Sequence, residues 1–137
     1  MATRIDVTVP EGVAVTPDEA ARVVFEVFRR VDSWASEWKE GSALSAVNRA
    51  AGGPPVAVPP ELIMLIQRGL DLGQRSGGTF DITWAALWGV WDFKAEVPLL
   101  PNPQLLQARL KKVDYRRVEV DEDAGTLRIP EKGMLIG

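Results

Sequence analysis

Apolar and polar residues alternate at the start of the chain with a period of two. Ile5, Val7 and Val9 are separated by Asp6 and Thr8, which predicts a half-buried strand that Pro10-Glu11-Gly12 ends. The period then lengthens. Val24, Phe25, Phe28, Val31, Trp34, Ala35 and Trp38 recur at spacings of three and four, with Glu26, Arg29, Arg30, Asp32 and Glu37 between them. That spacing predicts a packed amphipathic helix. Thr16 is placed to cap it, Pro17 suits its first position, and Glu19 completes a capping box. Gly41 suits a stop, and Ser42 can cap a short second helix through Asn48.

Ala50 to Pro60 carries Gly52, Gly53 and four prolines and predicts a connector, extended at Val56 and Val58. Glu61 to Gly73 again has helical spacing, through Leu62, Ile63, Leu65, Ile66 and Leu70. Gly77-Gly78 then breaks the chain. Ile82 to Trp88 keeps helical spacing with little polarity, which predicts a short buried helix. A proline-punctuated loop leads to a helix begun by Asn102-Pro103 and running to about Lys112, with Leu105, Leu106 and Leu110 inward. Two alternating runs, 117–121 and 126–130, flank Asp121 to Gly125 and predict a β-hairpin. Residues 132–137 look like a third strand on which the chain stops. An unpaired apolar strand is an aggregation hazard, so the expectation is that a missing segment or a partner completes it. The predicted fold is α+β, a single domain over 1–137 with helices packed on a mixed or antiparallel sheet.

Composition narrows the chemistry. The 137 residues suffice for one real core, and 46% hydrophobic with 26% charged residues is a globular balance. A net charge of −3 argues against nucleic acid as the main partner. With no cysteine and no histidine there is no thiol nucleophile, Cys/His zinc site or His-based triad, so acid–base work falls to Asp, Glu, Lys or Tyr115. Any metal would be a hard cation held by oxygen. No signal peptide is visible, which leaves the compartment open. The apolar runs fall short of the ~18 residues of a membrane span.

The stretch from Ser76 to Phe93 stands out. It joins a Gly-Gly bend to Phe80-Asp81-Ile82-Thr83 and to three of the chain's five tryptophans, Trp84, Trp88 and Trp91. It suits a site for something flat and large, or a packed corner. Asp81 can serve a ligand, cap the following helix, or both. Trp38 continues an apolar stripe, so a core aromatic and a stacking platform are both open. The default for Trp84, Trp88 and Trp91 is core, and for Thr83 a structural role. Ser42, Ser45 and Asn48 are suited to fixing a turn. Asp121, Glu122 and Asp123 superficially suggest a metal loop, but an acidic hairpin turn accounts for them.

Four pieces of the chain, in order, resemble the ApbE family of FAD:protein FMN transferases. Met1-Ala2-Thr3 resembles its Met-Gly-Thr strand opening, and Ser36 through Asn48 its Ser-x-(Tyr)-x-x-x-Ser-x-Leu-Ser-x-x-Asn segment, with Trp38 at the aromatic position. Gly78-Thr79-Phe80-Asp81-Ile82-Thr83, with Leu87 and Trp91-Asp92-Phe93, is similar to its Phe-Asp-Ile-Thr segment. Asp114-Tyr115-Arg116-Arg117-Val118 and Gly133-Met134 resemble its hairpin and Gly-Met strand. Ala2 replaces the motif Gly, Trp84-Ala85-Ala86 replaces Val-Gly-Pro, and Asp92 replaces a Gly.

The resemblance spans the whole chain and the N-terminal half of a family member. It implies the N-terminal part of that fold, and transfer of FMN from FAD to a Thr or Ser hydroxyl of a target flavoprotein of a redox complex, with Mg²⁺ at the pyrophosphate. It places Met1, Trp38, Thr79, Phe80 and Asp81 around FAD, with Trp38 as the stacking aromatic. It leaves the metal ligands outside this chain, so catalysis by this chain alone is not expected, and a truncation and a second polypeptide that completes the fold are both open. A non-catalytic flavin- or partner-binding module and an inactive truncated fragment are the alternatives. Family members are usually held in the cell envelope.

Overall fold

The computed structural model describes residues 6–97 and 99–137. Among the described residues four helices are formed: α1 (Pro17–Ala35), α2 (Ala43–Arg49), α3 (Pro60–Arg75) and α4 (Pro103–Leu110). Strands β1 (Val56–Ala57), β2 (Glu119–Asp121) and β3 (Thr126–Arg128) and two 3₁₀ segments, Ile82–Leu87 and Tyr115–Arg117, complete the list of elements. The sheet is antiparallel with order β1-β3-β2, Val56 and Val120 both lying opposite Leu127. The predicted α+β class and the hairpin are therefore present. Gly125, at φ 64°, closes the hairpin turn, and Asp121 accepts a bond there from the Ala124 amide.

The core lies between α3, α2 and the sheet. Leu62, Leu127, Ile129, Met134, Ile136 and Val47 are almost fully enclosed, with Leu44, Ile63, Ile66, Ile82 and Val118 around them. Burying each such side chain is worth roughly 1.5–3 kcal/mol, which makes this cluster the main source of stability. Two helical glycines allow the close approaches it needs. A Cβ on Gly69 would come within 2.6 Å of Ile82, and one on Gly73 within 2.9 Å of the Tyr115 ring.

Five expectations need correction. Residues 6–9 form no strand, and Ile5 lies outside the described residues. A strand is stable only when paired, and no described strand reaches this one. Helix α1 stops at Ala35, three residues before Trp38, because the Ser36 carbonyl accepts bonds from the Ser42 and Ser45 hydroxyls, the latter at 3.2 Å. The Ser36 hydroxyl in turn accepts the Trp38 amide at 3.3 Å. Such local bonds compete with helix continuation.

The third correction concerns packing. The capping box of α1 is present, yet α1 contains no buried residue, and Val23, Phe25, Val27 and Phe28 are all exposed. Only its far end, at Trp34, packs on the core. Fourth, Leu105 and Leu110 of α4 are exposed and only Leu106 is half-buried. Fifth, residues 132–137 form no strand, although Met134 and Ile136 are buried. Asn48 stands in for a neighbouring strand there. Its side-chain amide accepts the Ile136 N–H at 2.9 Å and donates to the Ile136 carbonyl at 2.8 Å.

Candidate functional site

The loop 36–41 is carried between α1 and α2 and is tied down from the α2 side. Ser42 caps α2 by accepting the Ser45 amide at 3.0 Å, and the Ser45 hydroxyl donates to the Glu37 carbonyl at 2.9 Å. Ser42 and Ser45 thus fix a turn, as their positions suggest. The loop presents Trp38, 64% exposed. Its ring meets that of Trp88 at 4.9 Å between centroids and 68° between planes, and Trp88 meets Trp84 at 4.9 Å. The Trp88 indole N–H donates to Glu37 Oε2 at 2.9 Å.

Trp38 and Trp88 line a cleft of about 380 Å³ together with Glu37, Glu40, Ser45, Asn48, Arg49 and Leu135. The Arg49 guanidinium donates to the Glu40 carbonyl at 2.7 Å, closing one rim. The three tryptophans of the 82–91 stretch are not core. Trp84, Trp88 and Trp91 are each more than a third exposed. The 3₁₀ segment turns Ile82, Thr83, Ala85 and Ala86 inward, and a helix of six residues cannot bury every side it has.

Asp81 does the capping expected of it. Its Oδ1 accepts the Thr83 amide at 2.7 Å and the Thr83 hydroxyl, while Oδ2 accepts the Tyr115 amide at 2.9 Å. Thr83, fully buried, accepts the Asp114 amide at 2.8 Å. The carboxylate therefore joins the start of the 3₁₀ segment to the turn before β2, 34 residues on. Beside it, the Arg116 guanidinium holds the Asp114 carboxyl below its ordinary range, and Asp114 raises Arg116 in return. Further along, hydrogen bonds from Lys112 and then Arg117 hold Glu131 below its ordinary value.

The other sequence-predicted residues are placed as follows. Thr79 is exposed and its hydroxyl donates to the Ser76 carbonyl at 3.0 Å. Phe80 is 43% exposed and lines an apolar cleft of about 360 Å³ with Leu65, Leu72, Ile82 and Gly137. Met1 lies outside the described residues. Trp38 and Phe80 thus stand in two clefts, which adjoin at Gly137: a Cβ there would come within 2.7 Å of Glu37 Oε2. A larger cleft, of about 530 Å³ between α3 and Tyr115–Val120, contains none of these residues.

Sequence reasoning missed the Glu37–Trp88 bond and the anchoring of Asp81 to Tyr115. Both join residues more than thirty positions apart, and no local pattern signals them. Among the described residues no group of three or more His, Cys, Asp or Glu is placed to hold a metal ion. No helix of the described residues is long and apolar enough to cross a membrane. The arrangement can offer a flat ligand an aromatic surface bordered by Glu37, Glu40 and Arg49, and an apolar second cleft.

The model of the ApbE family matches residues 1–137. A FAD:protein FMN transferase of Treponema pallidum is 31% identical over 101 residues, 74% of this chain and 28% of that protein. One from Chlamydia muridarum is 24% identical over 110 residues, 80% of this chain and 35% of that protein. Among solved structures, the ApbE protein of Thermotoga maritima superposes with a TM-score of 0.76 at 22% identity, over 89% of this chain and 40% of its own. The flavin transferase ApbE of Vibrio cholerae gives 0.75 at 19% identity, over 93% and 41%. The chain thus spans about a third of these relatives' length and two fifths of these structures, and the superpositions establish its fold.

Proposed function

The chain belongs to the ApbE family, and on that premise we propose that it supplies the flavin-facing part of a FAD:protein FMN transferase. The reaction transfers the FMN part of FAD to a Thr or Ser hydroxyl of a target flavoprotein. The hydroxyl oxygen forms a bond to the flavin-side phosphorus, the pyrophosphate bridge breaks, AMP leaves, and the hydroxyl proton passes to solvent or a base. Such a transfer depends on positioning and charge neutralisation.

In this reading Trp38 stacks on the isoalloxazine with Met1 near the flavin ring, and Thr79, Phe80 and Asp81 line the FAD site. The observation that carries it is the exposed Trp38 indole standing beside Trp88 over an open cleft. Asp81 serves through its carboxylate, which accepts the Thr83 and Tyr115 amides, while Phe80 is held by its own amide, which donates to the Ser76 hydroxyl at 3.0 Å. The family resemblance implies Mg²⁺ at the pyrophosphate, a cation usually held by one or two carboxylates together with substrate phosphates.

The groups that hold the metal and activate the hydroxyl come, in this reading, from outside these 137 residues. The bare apolar side of α1 supports that division, since a 19-residue helix with no buried residue is an unusual end state for a domain. A completing polypeptide would cover it. The test is to incubate the purified chain with FAD, Mg²⁺ and a Thr-containing acceptor peptide. The expected result is FAD binding without covalent flavin on the peptide. Covalent flavin would overturn the division of labour, and absence of binding would overturn the flavin role.

A further inference from the structure

Trp38 is mostly exposed and sits on a loop, so a flat ligand would have to order its ring at an entropic cost unless something already holds it. Its neighbour Glu37 supplies the means. Glu37 Oε2 accepts the Trp88 indole N–H at 2.9 Å, and Trp88 meets the Trp38 ring at 4.9 Å and 68°. Trp88 is itself anchored: its amide donates to the Ala85 carbonyl at 3.0 Å, and its ring rests against Trp84. The Glu37 carboxylate is flanked by Gly137, whose amide donates to the Ile82 carbonyl at 3.0 Å. One hydrogen bond therefore ties the loop bearing Trp38 to Trp88, the residue that ends the 3₁₀ segment, 51 positions later.

We propose that Glu37 and Trp88 are positioning residues that preset the Trp38 ring for a flat aromatic ligand. The proposal rests on the reading of Trp38 as the flavin platform. Edge-to-face pairs of this geometry are favoured over free rotation, and a ring held before binding spares the ligand that ordering. The Glu37 acceptor fixes the Trp88 plane, and the Trp88 plane fixes the Trp38 ring.

The test is a tryptophan-fluorescence titration with FAD on the whole chain and five variants, Trp38→Ala, Trp88→Phe, Glu37→Ala, Glu37→Gln and the double variant Glu37→Ala/Trp88→Phe. Far-ultraviolet circular dichroism reads both the fold and the exciton couplet of the paired indoles. Glu37→Gln keeps an acceptor and retains affinity and couplet. Glu37→Ala and Trp88→Phe bind FAD roughly three- to tenfold more weakly with the helical signal unchanged, and the double variant is no weaker than either single one. Trp88→Phe and Glu37→Ala binding as well as the unaltered chain, while Trp38→Ala weakens, would overturn the positioning role and leave the platform standing. Trp38→Ala binding as tightly as the unaltered chain, or no binding by the unaltered chain, would overturn both.

Discussion

Replacing Asp81 by Ala removes three acceptor contacts at once. The 3₁₀ segment loses its cap at the Thr83 amide, the Thr83 hydroxyl loses the acceptor it donates to, and the Tyr115 amide is left without its partner. Loss of an N-cap costs about 1 kcal/mol. Leaving a part-buried amide unpaired costs about 1–3 kcal/mol. The groups form one network, so the terms overlap, and the expected sum is roughly 2–4 kcal/mol. That is a large share of a domain stability of about 5–15 kcal/mol. Asp81→Asn keeps one acceptor oxygen but turns an NH₂ group towards a donor, and should cost about 1–2 kcal/mol. Urea unfolding followed by tryptophan fluorescence measures both, with the midpoint shift converted through an unchanged m-value. If Asp81→Ala unfolds within about 0.5 kcal/mol of the unaltered chain, the network carries no weight and the structural account of Asp81 is wrong.

Three further outcomes are expected. Phe28→Glu should change the stability of the isolated chain by no more than about 0.5 kcal/mol, whereas Leu62→Ala should cost about 2–5 kcal/mol, because Phe28 is 43% exposed and Leu62 fully buried; equal losses by urea unfolding would mean α1 is packed. Gly73→Ala should lower the thermal midpoint despite a helix-propensity gain of about 1 kcal/mol, since its Cβ would meet the Tyr115 ring at 2.9 Å; a raised midpoint would show that Tyr115 yields freely. Glu131, held below its ordinary value of 4.5 by Lys112 and Arg117, contributes stability that is present above that value and is lost as the pH falls through its depressed one. Glu131→Gln should therefore flatten the acid side of the stability curve, and an unchanged acid slope would contradict the contribution.

Local signals carried the elements well where a side chain acts on its own neighbourhood. Thr16, Pro17 and Glu19 mark the start of α1, Ser42 that of α2 and Asn102 that of α4, and each cap is made as written. Periodicity told less about what a helix packs against. The apolar stripe of α1 is real, but nothing in its spacing says that only its far end, at Trp34, packs on the core of the described structure. The same stripe misplaced Trp38, because the hydroxyls of Ser42 and Ser45, not the local apolar pattern, end the helix.

The candidate site was legible as motif and illegible as geometry. Phe80-Asp81-Ile82-Thr83 was recognisable from its residues, and Asp81 as a cap followed from position. Its bond to Tyr115, the Glu37–Trp88 pair and the grip of Asn48 on Ile136 depend on chain returns of 34, 51 and 88 residues. Such contacts are set by tertiary packing, which hydrophobic spacing does not encode.

The central claim is that Trp38 and its cleft receive the flavin. Isothermal calorimetry of the purified chain with FAD, repeated on Trp38→Ala, tests it most directly. The account predicts measurable heat and tryptophan quenching for the unaltered chain and a marked loss of affinity for the variant. No heat and no quenching, or equal affinity for both proteins, would contradict it.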